Sequence, residues 1–211
     1  RDAKLYTFKY SKDFPVSIST TRPETKVGDV AVAVHPDDER YKKFVGKEYA
    51  TVFCDVPIHI KIISDREVDK DFGTGALGVT PAHSMADWEI ADRHNLDKPQ
   101  IINEYAKMTV AGRLNGLKTT DAREKVVEWL KSENLLEKEE DIKQNVATAE
   151  RTGGIVEPLP KLQWFIGVNK PFTIPHSEIE GVASGSVTTL KNIMKLAVEN
   201  GAVNMPQDGF R

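Results

Sequence analysis

The sequence predicts an α+β domain, a strand core curled toward a β-barrel with several helices around it. Three observations point there. The first third of the chain is a succession of short apolar–polar alternations, the period of strands. Later stretches carry a 3.6-residue apolar period. The length of 211 residues, with 39% hydrophobic and 29% charged, suits one substantial domain or two small ones. The same composition excludes collagen-like, coiled-coil and low-complexity classes. Residues 30–34, a long apolar run for this chain, fall far short of the ~18–20 residues a membrane span needs. One cysteine, Cys54, supplies neither an internal disulfide nor a thiolate zinc site. A net charge of −3, from 29 basic and 32 acidic residues, excludes a general polycationic grip on nucleic acid and leaves local contacts open. The chain begins at Arg1 with no signal-peptide pattern, and a piece of a larger cytoplasmic protein is expected.

Residues 5–10 and 16–21 alternate and read as strands, as does the apolar run 29–34. His35-Pro36-Asp37-Asp38 breaks that run, and acidic residues in a first turn predict a short helix over 37–44, ended by Gly46. Strands are expected at 48–54 and 58–63 around Asp55-Val56-Pro57. Residues 73–80 form a glycine-rich turn leading into a strand closed by Pro81, and 84–94 read as a helix stopped at Asn95. A short strand is expected at 98–103, then a helix over 120–133 with Ala122, Val126, Val127 and Leu130 inward. The charge run 137–143 reads as a solvated loop or helix face. Thr152-Gly153-Gly154 predicts a hairpin turn, residues 162–168 are aromatic and β-prone, and 188–200 read as a helix with Leu190, Ile193, Met194 and Val198 inward.

Several familiar chemistries are absent. There is no phosphate-binding Gly-x-x-x-x-Gly-Lys-Ser/Thr loop, no Gly-x-Ser-x-Gly elbow and no His-Glu-x-x-His pair. Gly73-x-Gly75-x-x-Gly78 precedes a strand rather than a helix, so dinucleotide binding through it is not expected. The five histidines show no metal spacing, and no metal is expected. Two segments stand out. Ser19-Thr20-Thr21-Arg22-Pro23-Glu24-Thr25 packs hydroxyls, a guanidinium and a carboxylate around a proline that fixes the local φ. By composition it is also an ordinary polar turn. Residues 73–87 deliver Thr80, Pro81, Ala82 and His83 to a helix start, where Ser84-x-x-Asp87 fits a capping pattern. A carboxylate held at a helix start beside a glycine-lined cleft is equally suited to gripping an ammonium group.

Together the two segments resemble the inserted editing domain of class I aminoacyl-tRNA synthetases for valine, isoleucine and leucine, the valyl form matching best. The matching residues are Thr20 to Thr25 with Gly28 to Tyr41, then Phe72 to Leu77, Thr80 to His83, Asp87 and Arg93 to Leu96. Gln163-Trp164-Phe165 resembles the motif where the insertion returns toward the synthetic core. The likeness runs over roughly residues 16–168. It implies an editing-domain core over 1–168 and a return segment over 169–211. Neither ATP-site signature of the synthetic core is present.

The resemblance implies hydrolysis, without cofactor, of the ester joining a wrong amino acid, chiefly threonine, to the 3′ acceptor end of valine tRNA. It implies a cytoplasmic protein, away from membranes and covalently part of a larger synthetase. By the same resemblance the catalytic set is Thr20, Thr21, Arg22, Thr25 and Asp87. The substrate-binding set is Phe72, Gly75, Thr80, His83 and Asp87, with Asp87 on the substrate ammonium. Two positions depart from the valyl pattern: Gly78 stands where lysine is usual and Ser84 where aspartate is usual. Lys26 offers another cation in place of that lysine. Clearance of another aliphatic amino acid, as in the isoleucyl and leucyl domains, and a non-catalytic insertion that clamps the tRNA acceptor end are the alternative expectations.

Overall fold

The computed structural model describes residues 1–203 and divides into two units, 1–160 and 161–211. In the first, β1 (Asp2–Phe8) pairs antiparallel with β2 (Ile18–Thr20) on one side. A second sheet holds β3 (Ala31–Val34), β4 (Glu48–Phe53), β5 (Val56–Ser64) and β6 (Ala76–Val79) in the order β4-β5-β3-β6. Strand β6 lies against β2 without a hydrogen-bonded ladder between them. The α+β class therefore holds, while the described strands form open sheets with no closed barrel.

The apolar alternation explains the packing. Val32 and Val34 face the main core with Phe8, Tyr10, Phe14, Phe53, Ile60 and Ile62, whereas Ala31 and Ala33 turn to Val79 and Ile90. Ile90 belongs to α1 (Met85–His94), so β3 and β6 are buried on both faces. The main core is aromatic at its centre. Phe8 stacks on Phe53 at 5.6 Å, Tyr10 meets Phe14 edge-on at 5.0 Å, and Trp129 of α2 (Thr119–Ser132) closes on Phe53 at 4.9 Å.

Three elements differ from expectation. The charge run is a strand, β7 (Leu136–Lys143), pairing with the free edge of β1. Its charges suit an edge exposed to water, and Lys4 of β1 bonds Glu139 at 2.6 Å across the pair. Residues 37–44 do not form an α-helix; only a 3-10 turn, Lys42–Phe44, appears. Asp38 accepts from the Arg40 amide at 3.1 Å and from its guanidinium at 2.6–3.1 Å, a local bond that competes with helix formation. Residues 98–103 give a single bridge, Ile102 to Met108, rather than a strand.

In the second unit, β8 (Pro171–Thr173) and β9 (Val187–Thr189) form a small hairpin and lead to α3 (Leu190–Glu199), capped by Thr189. The predicted helix is present, but its apolar face is not buried: Leu190, Met194 and Val198 are exposed. Residues 162–168 form no strand, and Leu162, Trp164, Phe165 and Ile166 are all exposed.

Candidate functional site

The Thr-Arg-Pro-Glu-Thr segment leaves β2 and is stapled by its own side chains. Thr20 Oγ1 accepts from the Arg22 amide at 3.0 Å, and Thr25 Oγ1 donates to the Arg22 carbonyl at 2.9 Å. Pro23 opens a 3-10 turn, Pro23–Gly28, in which every residue is buried. Glu24, fully buried, accepts two bonds from Arg123 of α2 at 2.9 and 2.8 Å and a longer one from Arg22 Nε at 3.4 Å. An isolated buried carboxylate would be untenable, and the Arg123 fork is what allows Glu24 inside.

The second segment runs from β6 through Thr80 and a 3-10 turn, Pro81–His83, into α1. Ser84 caps the helix, its Oγ accepting from the Asp87 amide at 3.3 Å. The Asp87 carboxylate turns back, and Oδ2 accepts from the Thr80 amide at 2.8 Å. Asp87 is buried, with 6% of its surface exposed, and among the described residues its Oδ1 accepts no hydrogen bond, so that oxygen is left uncommitted. Asp87 thus presents one open carboxylate oxygen at the positive end of a helix.

Beneath Thr80 lies a buried polar network. Lys26 Nζ donates to Asp29 Oδ1 at 2.9 Å, to the Gly78 carbonyl at 2.8 Å and to Thr80 Oγ1 at 2.7 Å. Those three bonds use all three ammonium hydrogens. The Thr80 hydroxyl and Tyr10 Oη both donate to Asp29. Burial pushes the Asp29 carboxyl above its ordinary range, opposed by Lys26, Thr80 and Tyr10. Tyr10 is pushed well up by burial and by Asp29. Gly78 makes this possible: a Cβ there would stand 2.5 Å from Tyr10 Oη and nearer still to Asp29 Oδ2. Tyr10 and Asp29 therefore fill the space over Gly78, and Lys26 bonds the Gly78 carbonyl and acts on the site through Thr80. With its donor and one lone pair committed, the Thr80 hydroxyl can only accept one further bond.

Arg22 and His83 meet on the far side of the site. Arg22 Nη1 donates to the His83 carbonyl at 3.4 Å, and Nη2 lies 2.9 and 2.7 Å from the two carboxylate oxygens of Glu157. His83 is buried, and its Nε2 accepts from the amides of Ile101 and Ile102 at 3.0 and 3.2 Å. That fixes the ring proton on Nδ1, which lies 3.3 Å from the Pro158 carbonyl and 3.5 Å from Glu157 Oε1. Burial raises the Glu157 carboxyl, but His83 and Arg22 outweigh it and hold it below the usual range.

The structure thus brings together Thr20, Arg22, Thr25, Thr80, His83 and Asp87 through direct bonds or shared partners. Thr21 follows Thr20 and is partly exposed. Within the set, Thr25 is committed to its own turn and the His83 ring to the Ile101 and Ile102 amides and to Glu157 and Pro158. Phe72 and Gly75 fall elsewhere. Strand alternation puts Leu77 and Val79 on the face of β6 opposite Gly78. Phe72, half exposed, lines a cleft of about 210 Å³ with Ser19, Ala76 and Leu77. Gly75, at φ +75°, lets the chain pass Arg40, since a Cβ there would stand 2.5 Å from its Nη2 and 2.6 Å from the Lys70 carbonyl. Sequence reasoning missed Tyr10, Asp29 and Glu157. Asp29 had a signal, a carboxylate opening an apolar strand, but the other two had none. Among the described residues no group of three or more His, Cys, Asp and Glu gathers to hold a metal, and no helix is long and apolar enough to cross a membrane.

No protein-family model matches the chain. Valine–tRNA ligases do: that of Carboxydothermus hydrogenoformans is 41% identical over 191 residues, covering 89% of this chain and 21% of that protein. Those of Coxiella burnetii and Thermotoga maritima are 45% and 42% identical, covering 81% and 88% of this chain and 18% and 21% of theirs. The chain is homologous to a segment of valine–tRNA ligases. It spans about a fifth of the length of these ligases. Among solved structures, an Agrobacterium radiobacter K84 LeuRS–tRNA–LeuAMS ternary complex aligns at TM-score 0.43 and 15% identity, covering all of this chain and 29% of that one. The structure of GlLeuRS-CP1 aligns at TM-score 0.39 and 13% identity, covering 57% of this chain and 78% of that one. Similarities at these scores carry no argument about the site. The geometry of this chain's own residues carries it.

Proposed function

We propose that this chain is the editing domain of a valine–tRNA ligase and hydrolyses the ester of a mischarged tRNA, threonine on valine tRNA being the principal substrate. The observation that carries the reading is Asp87. Its Oδ2 is fixed by the Thr80 amide, and its Oδ1 stays open at a helix start. Such an oxygen pairs with an α-ammonium group and sets which way the amino-acid side chain points. The remaining lone pair of Thr80 Oγ1 suits a substrate that donates a hydrogen bond there, as threonine does and valine cannot. A site that rewards that hydroxyl separates two isosteres that an apolar pocket distinguishes only weakly, a limit for which this ligase family is itself the standard example. An aminoacyl ester is already activated, so positioning it against water is the main demand, and Thr20 and Thr21 supply hydroxyls at the site edge. Residues 1–168 form the editing core in this reading. Residues 169–211 return toward the synthetic part of a larger cytoplasmic enzyme, whose tRNA presents its 3′ end.

The test is deacylation of Thr-tRNA(Val) by the 211-residue chain, with Val-tRNA(Val) and an isoleucylated tRNA as comparisons. Release of threonine well ahead of valine supports the proposal. Preferential release of another aliphatic amino acid replaces the substrate, and tRNA binding without turnover replaces the reaction by acceptor-end clamping.

A further inference from the structure

The two segments of the candidate site are tied together by a third that the resemblance assigns no role. Glu157 and Pro158 follow a turn closed by the Thr148–Ile155 bridge. The Glu157 carboxylate lies against Arg22 through both oxygens, and with Pro158 it meets the Nδ1 side of His83. Its side chain is 18% exposed and that of His83 is fully buried. Arg22 also bonds Glu24 through Nε at 3.4 Å, and Glu24 is itself anchored by Arg123. The guanidinium is therefore clamped between two carboxylates from distant parts of the chain. After the bond to the His83 carbonyl, one Nη1 hydrogen remains uncommitted. A planar fork bonded at all three nitrogens has a single orientation, and the short paired bonds from Glu157 do most to set the direction of that remaining donor.

We infer that Glu157 is a positioning residue for the hydrolysis proposed above: it aims the Arg22 guanidinium at the bound ester and locks the Thr80–His83 turn against the Thr20–Arg22 segment. The inference rests on that functional reading. It predicts that Glu157 acts only through Arg22 and His83, never on the substrate itself.

The experiment measures kcat and KM for Thr-tRNA(Val) hydrolysis by the 211-residue chain and its Glu157→Ala, Glu157→Gln, Arg22→Ala and doubly substituted forms. Misplacement of a positioning group costs about 10²-fold. A kcat loss of that order is expected for Glu157→Ala, with KM within about twofold of the parent. Glu157→Gln keeps an acceptor oxygen for Arg22 and is expected to lose less. In the Arg22→Ala background the further change should shrink to about twofold, because the guanidinium that Glu157 aims is gone and only its contact with His83 remains. If Glu157→Ala loses its structure, Glu157→Gln, checked for an unchanged melting temperature, decides the matter. Equal losses with and without Arg22, or unchanged kcat in a folded Glu157→Ala, overturn the inference and leave the editing reading standing. Absence of hydrolysis by the parent chain overturns the editing reading and the inference with it.

Discussion

Replacing Gly78 with alanine probes whether the Tyr10–Lys26–Asp29–Thr80 network sits where the structure puts it. The added methyl would stand 2.5 Å from Tyr10 Oη, nearer still to Asp29 Oδ2, and 3.1 Å from Ile18 Cδ1. Ordinary non-bonded contact needs about 3.5 Å, so the phenol or the carboxylate must retreat by about 1 Å. Overpacking of that size costs about 1–3 kcal/mol. Parting Tyr10 from Asp29 leaves a buried polar group poorly paired, for about 1–3 kcal/mol more. The sum is about 2–6 kcal/mol, a large share of an ordinary domain's stability. At roughly 2–4 °C per kcal/mol for a unit of this size, melting should fall by about 4–24 °C. Thermal and urea unfolding of Gly78→Ala measure this directly. Adding Tyr10→Phe removes one of the two crowded oxygens, and the pair should lose at least about 1 kcal/mol less than the sum of the single changes. A Gly78→Ala chain that melts within about 2 °C of the parent would refute the packing argument.

Three further outcomes follow from the same residues. Lys26→Met should destabilise by about 3–5 kcal/mol, since it strands the Asp29 carboxylate in the core, and Lys26→Met/Asp29→Asn should recover much of that loss in urea unfolding; strict additivity would contradict the pairing. Burial raises the Cys54 thiol to about 11 and Tyr10 well above its ordinary value, so the stability these groups contribute is fully present below about pH 9 and is lost as pH rises through their folded values. Cys54→Ala should flatten the alkaline fall in unfolding free energy by up to about 1.4 kcal/mol per pH unit, the slope of one proton, and an unchanged slope would show that the thiol is not buried as described. Arg123→Met should lower thermal stability by uncoupling α2 from the Glu24 turn, with Glu24→Gln partly restoring it; an unchanged melting temperature for Arg123→Met would mean that the fork does not hold Glu24.

Much of the fold is readable from residue order because local rules and tertiary packing agree. Ser84, Asp87 and Asn95 mark the ends of α1, and the structure uses all three: a capping hydroxyl, a first-turn acid and a left-handed stop at φ 52°. The strand containing Ile60 alternates as its burial requires, and the all-apolar run around Val32 is buried on both faces. Strand β7 is hidden because its identity comes from its partner: Glu139 and Asp141 look solvated until β1 supplies the ladder and Lys4 the counter-charge. Residues 37–44 mislead in the other direction, since the Asp38–Arg40 bond outweighs a weak helical preference that sequence alone displays. At the site, the two signature segments are legible in the sequence, and Arg22 and Lys26 of the first bond the His83 carbonyl and Thr80 of the second. The charges that hold them, Asp29 and Glu157, are set by contacts 51 and 135 residues apart in the chain, a range at which spacing carries no signal.

The central claim is that the open oxygen of Asp87 anchors the substrate ammonium. Asp87→Asn tests it most directly, because the amide keeps an oxygen for the Thr80 N–H and preserves the turn while removing the charge. The account predicts a chain that melts near the parent temperature yet releases threonine from Thr-tRNA(Val) at least about tenfold more slowly, as loss of a charge-assisted bond of about 1.5–3 kcal/mol requires. Hydrolysis by a folded Asp87→Asn chain at the parent rate would contradict it.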